Sequence, residues 1–311
     1  MAAVLRGART IFNRASATYL MERVFVLLPV HNRRCVTEKF ADCLLRQTYQ
    51  NLHLILIDDG SSDGTAEAIR TKVETVSVIR GNGNWWWSGC MQQGFRWLTD
   101  HGCRDEDVVL LANDDINFGP EFISAAVATL ARSPGDLLGA RYLDSSSGKV
   151  VESGIHADLR SFVFRTADSP KQINCLPTRA LFLLWKDMKR VGSFHPTLLP
   201  HYLADYEYTL RATRRGLRCF TAPEVVITAD LDTTGYHNLD AMLGWRFIRR
   251  LFSVKTPLNP VYLTAFVALT APGLWKPINI LNVWVRAGSR IIWQGLLHLR
   301  FPRTVVHNII S

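Results

Sequence analysis

The sequence predicts an α/β fold: a Rossmann-like, mostly parallel sheet flanked by helices, followed by a helical, basic, Trp-rich C-terminal appendage. Three observations carry this. Between residues 24 and 132 four short apolar runs alternate with four helical patterns, the rhythm of strand–helix–strand units. Each apolar run gives way to polar residues that would be costly to bury. Asp and Glu are absent from residue 241 onward, which marks a change of organisation.

The elements follow in order. "VFVLLPV" (24–30) precedes a helical pattern over 34–46, "LHLILID" (52–58) precedes one over 64–72, "VSVIR" (76–80) one over 88–99, and "VVLLAN" (108–113) one over 119–132. Runs this short, rich in β-branched residues and Leu, read as strands rather than buried helices. In an open parallel sheet, ligands bind beyond the carboxyl ends of the strands. His31 and Asn32, Asp58 and Asp59, Asn84, and Asn113 to Asp115 lie there. After about residue 140 the pattern shortens, and "SGKVVESGIHADLRSFVFR" reads as hairpin-like strands turning at Gly148 and Gly154. A helix is expected from near Leu203 through "ADYEYTLRATRRG", closed by Gly216. The expected divisions are a basic amphipathic segment (1–22), a main domain (23–238) and a C-terminal region (239–311).

Charge is unevenly spread. The net charge is +9, yet residues 22–240 hold 24 basic against 27 acidic residues, while 241–311 hold nine basic and none acidic. Those C-terminal charges are interleaved with Trp245, Trp275, Trp284 and Trp293. That composition suits a membrane surface better than nucleic acid, for which no motif is present. The longest apolar run, "PVYLTAFVALTAPGLW", contains prolines and is shorter than the ~20 residues a membrane span needs. The Arg-containing, acid-free N-terminus reads as a transit peptide or a surface helix.

Several function classes lose their signatures. The six cysteines include no C-x-x-C pair, so neither zinc nor a disulfide framework is indicated. The first strand–helix turn, "PVHNRR", has neither the dinucleotide fingerprint nor the P-loop. Other positions point to chemistry. In "LILIDDGSSDGT", Ser61, Ser62 or Asp63 suffices as a helix cap, which leaves Asp58 and Asp59 to hold a ribose or the N–H edge of a base. Asn113 and Asp115 at a strand mouth suit a hard cation completed by substrate phosphates. Asp205 and Glu207 at a helix start are favoured by the helix dipole, and a carboxylate there also suits a general base. Three consecutive Trp, Trp85 to Trp87, cannot share one face of a strand, so at least one is expected to line a cleft.

The ordered set resembles the family 2 glycosyltransferases of GT-A fold over roughly residues 23–237, with "GNGNWWWSGCMQQGF" similar to bacterial polysaccharide and rhamnosyltransferase-like members. The resemblance implies donor binding by Pro29, His31, Asn32, Asp58, Asp59, Asn84, Asn113 and Asp114, and metal binding by Asp115. It implies Asp205 as the catalytic base, with Trp86, Trp87 and Glu207 on the acceptor. Mn²⁺ or Mg²⁺, a UDP- or dTDP-linked donor, a glycan or lipid-linked acceptor and a place at the cytoplasmic face of a membrane follow as expectations. A further metal ligand is sought among Asp230, Asp232 and His237. The rival readings are a sugar nucleotidylyltransferase, which would want glycine in "PVHNRR", a glycoside hydrolase, and a non-catalytic membrane-bound scaffold.

Overall fold

The computed structural model describes residues 22–133, 135–145, 147–229 and 245–300, with side chains placed as far as Gln294. The N-terminal basic segment and the three alternative ligands Asp230, Asp232 and His237 lie outside these residues, as does the expected boundary at 238.

The four anticipated units form. Strands β1 (Val24–Val30), β2 (Leu52–Asp58), β3 (Val76–Arg80) and β4 (Val108–Ala112) are followed by helices α1 (Arg34–Leu45), α2 (Thr65–Lys72), α3 (Trp86–Asp100) and α4 (Phe122–Arg132). All five residues of β4 are buried and β1 is nearly so, as befits strands covered on both faces. Beyond them come β5 (Asp136–Asp144), β6 (Val150–Glu152), β7 (Ile155–Asp158), β8 (Val163–Thr166), β9 (Ala180–Leu184), α5 (Trp185–Val191), α6 (Ala204–Arg214) and β10 (Arg218–Ala229). The C-terminal segment forms α7 (Trp245–Leu251), α8 (Pro260–Thr270) and α9 (Trp275–Arg300).

The main sheet runs β10-β5-β9-β4-β1-β2-β3, with β6 on the edge of β5, while β7 and β8 form a separate hairpin. β1 is parallel to both β2 and β4, so the chain reverses its direction of travel across the sheet at β1. A crevice opens at such a switch point. Among the described residues two strands break the parallel order: β6 is antiparallel to β5 at the edge, and β9 runs antiparallel between β4 and β5. Its first residue therefore sits beside the last of β4, Ala180 opposite Ala112, and the chain just before β9 reaches the same rim as the strand ends.

Two apolar layers cover the sheet. One includes Val26, Leu28, Phe40 and Phe122, the other Leu27, Ile57, Met91 and Trp185. The C-terminal segment packs on the main domain: Phe266 of α8 is fully buried with Leu199, Ala204 and Leu210.

Candidate active site

The rim is built by carboxylates that bind backbone. Asp58 is buried and accepts the Ser61 amide at 2.8 Å, which closes the turn after β2. Asp59 accepts the amides of Gly83 and Trp85 at 2.8 Å and of Trp86 at 3.0 Å. One carboxylate thereby ties the loop after β3 to the end of β2. Gly60 has φ +74°, and a Cβ there would come within 2.8 Å of the Gly83 nitrogen, so the close approach of the two loops requires glycine. Asp63 accepts amides at the start of both α1 and α2, from Arg34 and Thr65. On the next loop His31 donates from Nδ1 to the Asp59 carbonyl at 2.6 Å, leaving Nε2 to accept from Asn32. Asn32, at φ +52°, also takes the Ser62 amide on its side-chain oxygen.

The three tryptophans stand at a helix start, not on a strand, and they diverge for that reason. Trp85 packs on the apolar layer beneath the sheet. Trp86, at φ +56°, has Lys255 over its ring at 5.8 Å and an edge contact with His201. Trp87 donates its indole N–H to the Asn113 side chain at 3.1 Å. Left-handed backbone at a bulky residue costs on the order of 1–3 kcal/mol and persists only where surroundings enforce it. Trp86 and Leu203, the latter at φ +70°, both line the site.

A cleft of about 740 Å³ opens there, lined by Pro29, His31, Arg33, Asp59, Trp86, Asn113, Asp114, Asp115 and Lys255 among others. Asp114 is buried and holds Arg33 at 2.9 Å and the Thr37 hydroxyl at 2.9 Å. Burial pushes its carboxyl above the usual range, opposed by Arg33 and Thr37. Asp115 is the more open of the pair, with Arg33 at 3.7 Å.

A second cavity of about 320 Å³ adjoins the first, sharing Trp87, Asn113 and His201 with it. Asp205 and Glu152 line it together with Arg179, Thr178 and Tyr206. Burial pushes the Asp205 carboxyl up to about 6, against the pull of the Tyr206 amide and Arg179. Glu152 is pushed up to about 7, chiefly by burial, and its Oε1 is buried with no hydrogen-bond partner among the described residues. His201 is held below its usual value by burial and by Lys255, so it stands neutral between the two cavities.

The structure brings Pro29, His31, Asp59, Asn113, Asp114, Asp115, Trp86, Trp87 and Asp205 to these adjoining cavities. It does not bring Asp58, Asn32, Asn84 or Glu207 to their walls. Asn84 is exposed and its amide turns back on Asn82. Glu207, expected beside Asp205, is instead buried against Arg211, with Nε–Oε1 at 2.8 Å and Nη2–Oε2 at 3.0 Å. Residues two apart on a helix do not share a face, which is why Asp205 and Glu207 part. The sequence reading missed Arg33, Lys255, Arg179 and Glu152. Arg33 adjoins "PVHN" and was within reach. Arg179 precedes an antiparallel strand and Glu152 ends an edge strand, so a search after parallel strands passes over both.

Among the described residues no group of three His, Cys, Asp or Glu side chains gathers around a metal position. Among the carboxylates lining the larger cavity, Asp115 is the most open and could offer a cation an oxygen. Mg²⁺ is commonly held by one or two carboxylates and substrate phosphates, so this donor set fits a cation that arrives with a diphosphate rather than one held in a closed cage.

Comparison with known proteins gives the arrangement a context. A segment of 60 residues is 39% identical to an uncharacterised glycosyltransferase of Haemophilus influenzae, covering 19% of this chain and 24% of that relative. The match therefore spans about a quarter of the relative's length. The mannosyltransferase PcManGT of Pyrobaculum calidifontis, solved with GDP-mannose and Mn²⁺, aligns with a TM-score of 0.53 at 18% identity over 91% of this chain and 83% of that one. GalNAc-T7, solved with UDP, GalNAc and Mn²⁺, aligns with a TM-score of 0.55 at 11% identity over 67% and 44%. At such identities the likeness is one of fold, the GT-A fold. The family model for glycosyl transferase family 2 matches residues 25–187, just over half of the chain and the whole stretch from β1 into α5, and the protein belongs to that family.

Proposed function

We propose that the chain moves a hexose or deoxyhexose from a nucleoside-diphosphate sugar, UDP- or dTDP-linked, to a hydroxyl of a glycan or lipid-linked acceptor. The reaction inverts the anomeric centre, serves cell-surface polysaccharide or glycolipid assembly, and takes place at the cytoplasmic face of the membrane. The observation that carries this reading is the pair of adjoining cavities: a larger one in which Arg33 and Lys255 stand with the open carboxylate of Asp115, and a smaller one holding the raised carboxylate of Asp205.

The donor diphosphate lies in the larger cavity, where Arg33 and Lys255 supply positive charge, and the nucleoside rests on the wall that Asp59 ties together. The acceptor hydroxyl enters the smaller cavity. Asp205 takes its proton as the oxygen attacks the anomeric carbon, and the bond from that carbon to the diphosphate breaks on the opposite face. A carboxylate titrating near the working pH is well matched to this task. Asp115 and the diphosphate would hold Mn²⁺ or Mg²⁺, which would neutralise charge on the departing group. Trp87, hydrogen-bonded to Asn113, forms the partition between donor and acceptor.

A panel of nucleotide sugars assayed by thermal shift and donor hydrolysis, with Mn²⁺ and then with EDTA, tests the reading. A metal-dependent shift with one nucleotide class supports it. No shift with any nucleotide transfers the weight to a non-catalytic scaffold.

A further inference from the structure

The longest described helix, α9, carries a stripe of large apolar side chains on the side that faces away from the protein. Its inner face is marked by buried Asn279, Val283, Ala287 and Gln294, and Asn279 ties it down by donating to the carbonyls of Leu159 and Arg160 at 3.2 and 3.1 Å. A helix docked on a globular domain usually turns polar residues outward. Here large apolar side chains share the outer face with Asn282 and Ser289. Ile278, Leu281, Val285 and Ile292 recur at intervals of three, four and seven residues, and they are 47–65% exposed. They form a stripe about 20 Å long at 1.5 Å per residue. Helical geometry places Trp284 on one border of the stripe and Trp275 and Trp293 on the other, all three exposed.

The stripe is part of a wider asymmetry. Eleven of the sixteen large exposed hydrophobic side chains among the described residues lie between Trp245 and Trp293. The same segment, residues 245–300, carries eight Arg or Lys and no Asp or Glu. None of the seven whose side chains are described makes an ion pair with a described Asp or Glu. No described helix is long and apolar enough to cross a membrane, so the apolar stripe is not a span.

We propose that the outer face of α9 lies in the interfacial layer of an anionic phospholipid membrane. Charge decides between lipid and a second copy of the chain. Two copies meeting here would bring together two segments that each carry only positive charge, whereas anionic headgroups complement them. Tryptophans bordering an apolar stripe match the boundary between headgroups and acyl chains. This deepens the membrane-borne acceptor in the function proposed above and rests on that reading for its purpose. The docking itself needs no donor and is measured separately.

The test is flotation of the full chain with vesicles of phosphatidylcholine alone and with added phosphatidylglycerol. The expected result is binding to the anionic vesicles only, weakened on going from about 0.1 M to 1 M salt. The paired variant Leu281→Glu/Val285→Glu should lose at least about tenfold in partition, given the cost of placing charge in the apolar layer. Both positions are exposed, so its melting temperature and donor hydrolysis should match the parent's. Equal binding to neutral vesicles, or undiminished binding by the variant, overturns the proposal. A lipid-free dimer that the same variant dissociates, without vesicle binding by the parent, assigns the face to a second copy and also overturns it. Vesicle binding by a chain that turns over no donor would leave the docking standing and remove the enzymatic reading.

Discussion

The two cavities share a wall and differ in how their charges are matched. In the larger one, the buried acid Asp114 is tied to Arg33 and Thr37, and Lys255 adds a further cation. In the smaller one, Asp205 and Glu152 are desolvated, with Arg179 the nearby cation acting on both, and Glu152 leaves an oxygen unpartnered. Acids held by partners fix a shape, and Lys255 over the Trp86 ring brings positive charge to it. Acids stripped of water and left under-compensated are ready to take a proton or a hydrogen bond. One chain thus prepares a compartment for charge beside a compartment for proton transfer.

The sharpest way to break this contrast is Asp205→Asn. Loss of a positioned base typically costs about 10²–10⁴ in rate, so kcat should fall by that factor while donor binding, read by thermal shift, persists. In the parent, kcat/KM should decline as pH drops through about 6, where Asp205 takes up its proton. Stability provides a signed check. The folded state raises the Asp205 pKa from 3.8 to about 6, so it favours the neutral acid and loses stability as pH rises across that window. Asp205→Asn should therefore melt higher than the parent at about pH 8, and the gain should vanish at about pH 4.

Next in size is Arg33→Ala. It removes a cation from the larger cavity and leaves Asp114 buried without its charged partner, a cost of about 1–3 kcal/mol in stability. Donor KM should rise while acceptor KM holds. Glu152→Gln keeps the shape and removes a strong hydrogen-bond acceptor, so acceptor KM should rise by about tenfold with donor hydrolysis unchanged. An effect of Glu152→Gln on the donor alone would erase the division between the cavities. The smallest change is Trp87→Phe, which forfeits one hydrogen bond to Asn113, about 1 kcal/mol. Urea denaturation would resolve it.

The parallel half of the fold was legible because each strand is short, apolar and followed by a helix. Every element from Val24 to Arg132 lies within a few residues of its expected position. Part of the expected constellation reaches the adjoining cavities. His31, Asp59, Asn113 and Asp115 follow parallel strands, and Asp205 begins a helix. What escaped has a physical reason. β9 is five buried apolar residues, ALFLL, with nothing in their pattern to give direction, and its reversal is what carries Arg179 to the rim. Glu152 sits on a three-residue edge strand whose pairing with Tyr142 depends on a long-range contact. Trp85 to Trp87 are read with strand geometry and a helix is expected from 88, but Asp59 gathers the amides of Trp85 and Trp86 and the helix starts at Trp86.

Lys255 and Pro257 reach the cavities from the segment that also carries the outward stripe of α9. Under the docking proposed above, one segment both addresses the chain to a surface and walls its cavities, so it cannot be swapped as a cassette. Chimeras that graft another relative's C-terminal segment, made to send the catalytic domain to a different surface, will alter donor affinity along with destination. On that proposal, drift in the segment answers to two demands at once, membrane contact and the shape of the cavities.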